Sequence, residues 1–481
     1  MDGFPQTDAT TMKRILLIAV FTCFGTVVQA QQLVLKKGEI MDSLPMRDSL
    51  HNGFSLYLPS SFGVDAKWPL LMVLDLKGRA RQTMSMFVQA SEKHGYILMF
   101  PMISDSLSVT DNMIKIGESL EQTLAILPVQ GDRIYAAGEG VSGRFSTLLP
   151  TFFKEVQGVV SIGANMANME VLDAKRPFHF IGIVAKDDHD YPNLLMDSKL
   201  LNSMGFPNQI LLHDGLGDWP AASYLEKALQ LFDLSAMGRG RLTNDPPLVA
   251  RAYREDLAKL DLLKSRGDLL WMDQFMGEML SIYRVHMNTD SLRRAKRALG
   301  RDKQFKAMER NRDAAFAKES LIRQQYRYAM EEDILAHNFN NLGWWNHQME
   351  QIGNFSSGTN PYERQMGKRL LGFVNALAED HINLVQSGET IDQDALAFLY
   401  MVKTILEPDN FEYYLKTIAL SAKNEDYGTA LFYLEEALKR GFDDRERLYS
   451  LDGTALLRIS PEFNQLLSKY LGGARYEIPG N

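Results

Sequence analysis

Cysteine is all but absent: the 481 residues contain one, Cys23, and it lies inside an apolar N-terminal stretch that reads as a leader. The mature chain is therefore expected to have no disulfide, no thiolate metal ligand and no cysteine nucleophile. That is ordinary for an exported bacterial protein. Positive charge is also short, with 52 Lys and Arg against 60 Asp and Glu and a formal net charge of −8. Nucleic acid and anionic membrane surfaces are accordingly not the expected partners. The Arg/Lys-rich stretch Arg293 to Arg312 carries no nucleic-acid motif and is soon followed by acidic residues.

Long hydrophobic runs are missing too. The uncharged stretch Ile15 to Val28 is too short to span a membrane, and nothing like a stop-transfer segment follows. Met12-Lys-Arg14 precedes it and Val28-Gln-Ala30 closes it, the pattern of a secretory signal peptide over 12–30 with cleavage after Ala30. Cys23 does not read as a lipidation site, because Val20-Phe-Thr22 lacks the small neighbour such a site needs. The expected location is the periplasm or cell envelope of a Gram-negative bacterium, with no transmembrane segment in the mature chain.

With 45% hydrophobic residues, the chain can bury cores in about three domain-sized units. Residues 32–46 read as a lead-in or edge strand. From Gly53 strands and helices alternate: Phe54 to Leu58, the continuous apolar run Leu70 to Asp75, a helix over Thr83 to His94, a strand over Tyr96 to Phe100, and a helix over Asn112 to Leu127. Further strands fall at Gly158 to Ile162, Phe178 to Val184 and Gln209 to His213, with helices from Pro192 and Ala221. This rhythm predicts an α/β domain over 32–234 with a mostly parallel sheet, whose ligands bind at the carboxyl ends of the strands.

The chain is organised around Arg133-Ile-Tyr-Ala-Ala-Gly-Glu-Gly-Val-Ser-Gly-Arg-Phe-Ser146. An apolar run, three glycines within six residues and a helical continuation predict strand, sharp turn and helix. This resembles the nucleophile elbow of the α/β-hydrolase superfamily, G-x-S-x-G, within it the secreted esterase-like and peptidase-like domains common in Bacteroidetes. The resemblance covers roughly Gly53 to Phe232. It puts Gly140 at the nucleophile position. It also matches Asp188-His-Asp-Tyr191 to the segment carrying the acid, and Asp214-Gly-Leu-Gly-Asp-Trp-Pro220 to the segment carrying the histidine, with Gly217 at the histidine position. Asp75-Leu-Lys-Gly78 matches the segment after the first buried strand.

Serine hydrolysis needs a nucleophile, a base and an acid that orients the base. Here Gly140, Gly217 and Asp188 are the vestigial triad positions, and only the acid is present. A shifted register would make Ser142 the nucleophile, with His213 or His189 as base and Asp188 as acid. Arg144 then occupies a position expected to be small, and His213 would act from within its strand. Otherwise Ser142 reads as a helix N-cap and His213 as a strand-end histidine. Lys77, Gly78, Glu139 and Asp218 are the candidate binding residues, Lys77 more simply a salt-bridge partner. Glu139, Asp187, Asp188, His189, Asp190 and Asp218 could converge on a hard cation, but Asp187 to Asp190 lacks the spacing of a metal loop. Neither a metal nor a cofactor is expected.

Ser235 to Pro247 loses periodicity and reads as a boundary. Beyond it strands vanish. A helical domain over 248–405 includes Leu248 to Leu263, Leu269 to Tyr283 and the charged run Thr289 to Glu332, read as a solvated helical surface. Trp344-Trp345 reads as an anchor between helices. Over 411–472, Asp426-Tyr-Gly-Thr-Ala430 and Ala437 resemble the second helix of a tetratricopeptide repeat, with Tyr414 to Ser421 as the first and Leu448 to Tyr470 as a divergent unit or cap. The whole reads as a non-catalytic α/β-hydrolase-like protein whose helical half binds a protein partner and whose cleft can hold a small molecule. The alternatives are an active serine esterase or peptidase, and a purely structural part of an envelope complex.

Overall fold

A computed structural model describes residues 35–46, 49–215 and 219–476; the expected signal peptide, Gly217 and Asp218 lie outside the described residues. Eight strands form one sheet: β1 (Ile40–Met46), β2 (Ser49–Tyr57), β3 (Trp68–Leu74), β4 (Ile97–Pro101), β5 (Val129–Glu139), β6 (Val156–Ile162), β7 (His179–Ala185) and β8 (Asn208–His213), in the order β1-β2-β4-β3-β5-β6-β7-β8. β1 and β2 pair antiparallel, as do β2 and β4; all other neighbours are parallel. The fold class expected from the sequence, a mostly parallel α/β sheet followed by an all-α region, is the one observed. Residues 32–46 were expected at an edge, and β1 lies there.

Helices α1 (Ala80–His94), α2 (Val109–Ile126), α3 (Gly140–Ser146), α4 (Leu149–Phe152), α5 (Tyr191–Ser203) and α6 (Ala222–Gly238) connect or follow the strands. Central strands such as β3 and β7 are buried along almost their whole length because helices cover both faces, which is why they read as unbroken apolar runs rather than alternating ones.

The all-helical region comprises α7 (Pro246–Ser265), α8 (Leu269–Tyr283), α9 (Asp290–Leu299), α10 (Lys303–Ala336), α11 (Leu342–Ser357), α12 (Pro361–Gln386), α13 (Gln393–Leu406), α14 (Phe411–Lys423), α15 (Tyr427–Lys439), α16 (Arg445–Ser450), α17 (Ala455–Arg458) and α18 (Pro461–Leu471). The loop before Pro246 does not end the core. Buried side chains from Val249 to Phe305 belong to the same apolar cluster as the sheet. The reason lies at β8, an edge strand that would otherwise leave its peptide groups unpaired. On α8, Gln274 Nε2 donates to the Ile210 carbonyl at 3.2 Å and Glu278 Oε1 accepts from the Ile210 N–H at 3.0 Å, so two side chains one helical turn apart stand in for a ninth strand.

A second apolar cluster runs from Tyr326 to Leu420 and a third from Met401 to Leu467. Trp345 is fully buried in the second and donates through Nε1 to Asp333 Oδ2 at 2.8 Å, with Trp344 edge-on against it. In the third, Ala430 and Ala437 are fully buried between α14 and α15, where small side chains let the two helices approach.

The candidate site at the strand tips

β5 turns into α3 at Gly140, whose φ of +56° is one that L-residues rarely adopt. The turn closes by backbone contact: a Cβ at Gly138 would lie 2.5 Å from the Ser142 carbonyl oxygen, and one at Gly143 would lie 2.7 Å from that of Gly138. The glycine spacing in the sequence is thus the spacing the elbow requires. At its apex there is a glycine with open space beyond it.

Ser142 is buried in α3, three residues past the N-cap Glu139. It does not cap the helix, contrary to the N-cap reading. Its Oγ accepts the Leu76 N–H at 3.0 Å. That donor belongs to the β3–α1 loop. Its neighbours are engaged as well: Lys77 N–H donates to Asp75 Oδ1 at 2.9 Å, and Gly78 N–H to the Asp75 carbonyl at 3.1 Å. All three backbone donors after Asp75 are turned inward.

Asp75 is the pivot of that loop. Burial raises its pKa, but Arg79 at 2.7 Å, the Lys77 N–H and Thr83 at 2.9 Å outweigh burial and hold it below the ordinary carboxylate value. Arg79 also reaches Glu139 at 3.7 Å. Lys77 is exposed, and among the described residues its side chain makes no ion pair; Arg79 takes the salt-bridge role expected of it. Gly78 is exposed, with φ +70°.

Asp188 follows β7. Its Oδ1 accepts the Asp190 N–H at 2.7 Å and lies 3.5 Å from His189 Nδ1. Burial raises its pKa against the lowering effect of His189. His213 ends β8, where its Nδ1 accepts the Gly215 N–H at 3.1 Å; burial pushes its pKa down. Among the described residues no hydrogen bond joins Ser142 to His213 or His189. The acidic groups are likewise held apart: Asp187 pairs with Lys368 at 2.6 Å and Asp190 with Arg144 at 3.0 Å, and no three His, Cys, Asp or Glu side chains among the described residues gather as a metal would need.

The residues that sequence reasoning missed come from the helical region. Glu319 and Arg323 on α10 and Arg369 on α12 form a buried Arg–Glu–Arg group. Arg323 donates to the His189 carbonyl at 2.7 Å and Arg369 to the Lys186 carbonyl at 3.1 Å, so both cations grip the loop that carries Asp188. Gly372 packs on His189, where a Cβ would sit 3.6 Å from the ring's own Cβ. The run Thr289 to Glu332 is therefore not a solvated surface throughout. A Glu and an Arg four residues apart look the same in sequence whether water or protein covers them.

No family model matches the chain, and no curated protein matches it. Solved structures that resemble it include a thermostable esterase, 15% identical over 37% of this chain and 56% of its own, with a TM-score of 0.28. A hyperthermophilic esterase from the archaeon Pyrobaculum calidifontis is 10% identical over 48% of this chain and 94% of its own, with a TM-score of 0.34. An acylaminoacyl peptidase is 13% identical over 38% of each chain, with a TM-score of 0.28. The chain spans little more than half the length of the first. Likenesses this distant say nothing about activity.

Proposed function

We propose that this protein keeps an α/β-hydrolase frame without hydrolysis and works as an exported binding or scaffold protein of the cell envelope. Its helical half would be the surface for a protein partner, with the α14–α15 hairpin as one tetratricopeptide-like unit, and its strand-tip cleft would hold a small molecule or stabilise the fold. The observation that carries the reading is the pair formed by Gly140 and Ser142. The apex offers no side chain, and the hydroxyl two residues on is buried and bound to a backbone N–H of the β3–α1 loop, the segment that in α/β-hydrolases supplies an oxyanion donor. Acyl transfer needs a free oxygen nucleophile, a base beside it and open oxyanion donors, and this arrangement favours none of them. Export rests on residues 12–30, and no described helix is long and apolar enough to cross a membrane.

The competing reading, a serine esterase or peptidase acting through Ser142, makes an opposite forecast. The purified full chain is treated with a fluorophosphonate probe and with p-nitrophenyl acetate, beside a Ser142→Ala control. Absence of an adduct and of turnover above the control is expected; an adduct mapped to Ser142 would reinstate the enzyme. Partner capture should use the full chain, because α7 to α9 share their core with the sheet and a fragment from Leu248 would lose it.

A further inference from the structure

A cavity of about 760 Å³ opens beside the sheet edge, between α5, α8 and the first half of α10. That is within the range of roughly 300–1,000 Å³ typical of small-molecule sites. No elbow residue lines it; it lies behind the Gln274 and Glu278 side chains that close β8, and Glu319 and Arg323, which hold the Asp188 loop, form part of its wall.

Its walls are charged but balanced. Lys296 pairs with Asp273 at 2.6 Å, Arg312 with Asp313 at 2.8 Å and Arg323 with Glu319 at 2.5 Å. Arg312 lies between Asp313 and Glu309, Glu319 is shared by Arg323 and Arg369, and the wall as a whole carries four cations and five carboxylates, so neither sign of charge dominates. The hydrogen-bonding capacity that remains is of both kinds. Gln274 Oε1 and Glu278 Oε2 are acceptors with no partner among the described residues, since each residue uses only its other polar atom at the sheet edge. On the donor side, the solvent-exposed Asn202 amide nitrogen and Lys199 at the cavity mouth have no partner among the described residues, and Arg323 Nε is buried without an acceptor. Phe305 and Phe316 add aromatic surface to the lining.

We propose that this cavity binds a neutral, polyhydroxylated molecule of the oligosaccharide class. A hydroxyl both donates and accepts, so a run of hydroxyls can satisfy carboxylate and carboxamide oxygens together with amide N–H groups. The C–H face of a sugar ring matches the phenyl rings. An anion would leave the Gln274 and Glu278 oxygens unmatched, and a cation would leave the buried Arg323 Nε unmatched. The site does not depend on what happens at Gly140, so it stands or falls separately from the loss of hydrolysis.

Isothermal titration of the full chain with cellotetraose, xylotetraose and maltotetraose tests this, with trigalacturonate as the anionic probe and tetra-alanine as the peptide probe. At least one neutral tetrasaccharide should bind with a Kd below about 1 mM. Met196→Trp and Ser320→Trp fill the cavity from exposed positions on α5 and α10, and each should weaken binding about tenfold or more with unchanged circular dichroism and Tm. Should either tryptophan disturb the fold, Asn202→Leu replaces it, with the same loss of binding expected. Failure of all three neutral sugars, binding confined to trigalacturonate or tetra-alanine, or affinity untouched by the substitutions overturns the proposal.

Discussion

Arg369 grips Glu319 with both arms of its guanidinium, Nη2 to Oε2 at 2.6 Å and Nε to Oε1 at 3.2 Å, and the two side chains are 1% and 2% exposed. The pair fixes α12 to α10, and the same arginine reaches the Lys186 carbonyl. The helical half is thus fastened to the strand tips by desolvated charge, where the loss of one partner is severe.

Glu319→Gln leaves two buried guanidinium groups without their counter-ion. The expected loss is about 3–5 kcal/mol of stability, as for other buried pairs deprived of one partner. Urea denaturation of the full chain measures it, and a loss below about 1 kcal/mol would place the group in the weak class of exposed pairs.

Ser142→Ala should lower stability by about 1–3 kcal/mol, the penalty for a buried N–H left without an acceptor, here that of Leu76. A thermal melt reads this directly. An unchanged Tm would mean that water replaces the hydroxyl and that the loop is more open than the geometry implies.

Gly140→Ser returns an oxygen to the elbow. The new Cβ meets no atom within 4 Å, but φ is +56°, so the variant should fold with a penalty of about 1–2 kcal/mol. No ester turnover should appear, because His213 Nδ1 already accepts a backbone N–H and among the described residues no hydrogen bond brings a histidine to the elbow. Measurable hydrolysis of p-nitrophenyl acetate by this single variant would show that a working base is present.

Glu278 should make stability fall with rising pH. Burial raises its carboxyl from an ordinary 4.5 to about 7, against the lowering effect of its hydrogen bonds with Gln274 and Ile210. A raised carboxyl binds its proton more tightly in the fold than in the unfolded chain. Its contribution is therefore complete below about pH 4.5 and is lost as pH rises through about 7. Glu278→Gln removes this dependence while keeping an oxygen for the Ile210 N–H. The variant should match the native chain near pH 4 and exceed it by about 1–2 kcal/mol at pH 8, after allowance for the carboxylate's partial exposure. His179 acts oppositely: burial lowers it to about 4, so its contribution is lost as pH falls from about 6.5 through 4. The difference between variant and native melts, taken at each pH, isolates Glu278; a difference that does not grow between pH 5 and 8 would refute the assignment.

Much of the sheet was legible from the chain alone, because a strand covered on both faces must be apolar throughout. Leu70 to Leu74 and Phe180 to Val184 could hardly be anything else. The elbow was legible for a different reason: Gly138 and Gly143 occupy positions where a side chain would strike backbone, and such a constraint appears as glycine in the sequence, whereas Gly140 has open space and only an uncommon φ. At the boundary expected near Ser235 to Pro247 the apolar core runs on, from the sheet through Val249 to Phe305.

The sequence by itself determined the local structure, the parallel sheet and the absence of a hydroxyl at the apex, because these depend on residues close together in the chain or on side chains that are simply missing. Tertiary structure alone decided the fate of the charges. Whether Glu319 meets Arg369 or water, whether Ser142 caps its own helix or binds Leu76, and whether Gln274 and Glu278 face solvent or a sheet edge all turn on groups 50 to 68 residues apart. A polar residue looks the same in sequence either way, and only its neighbours in space settle which.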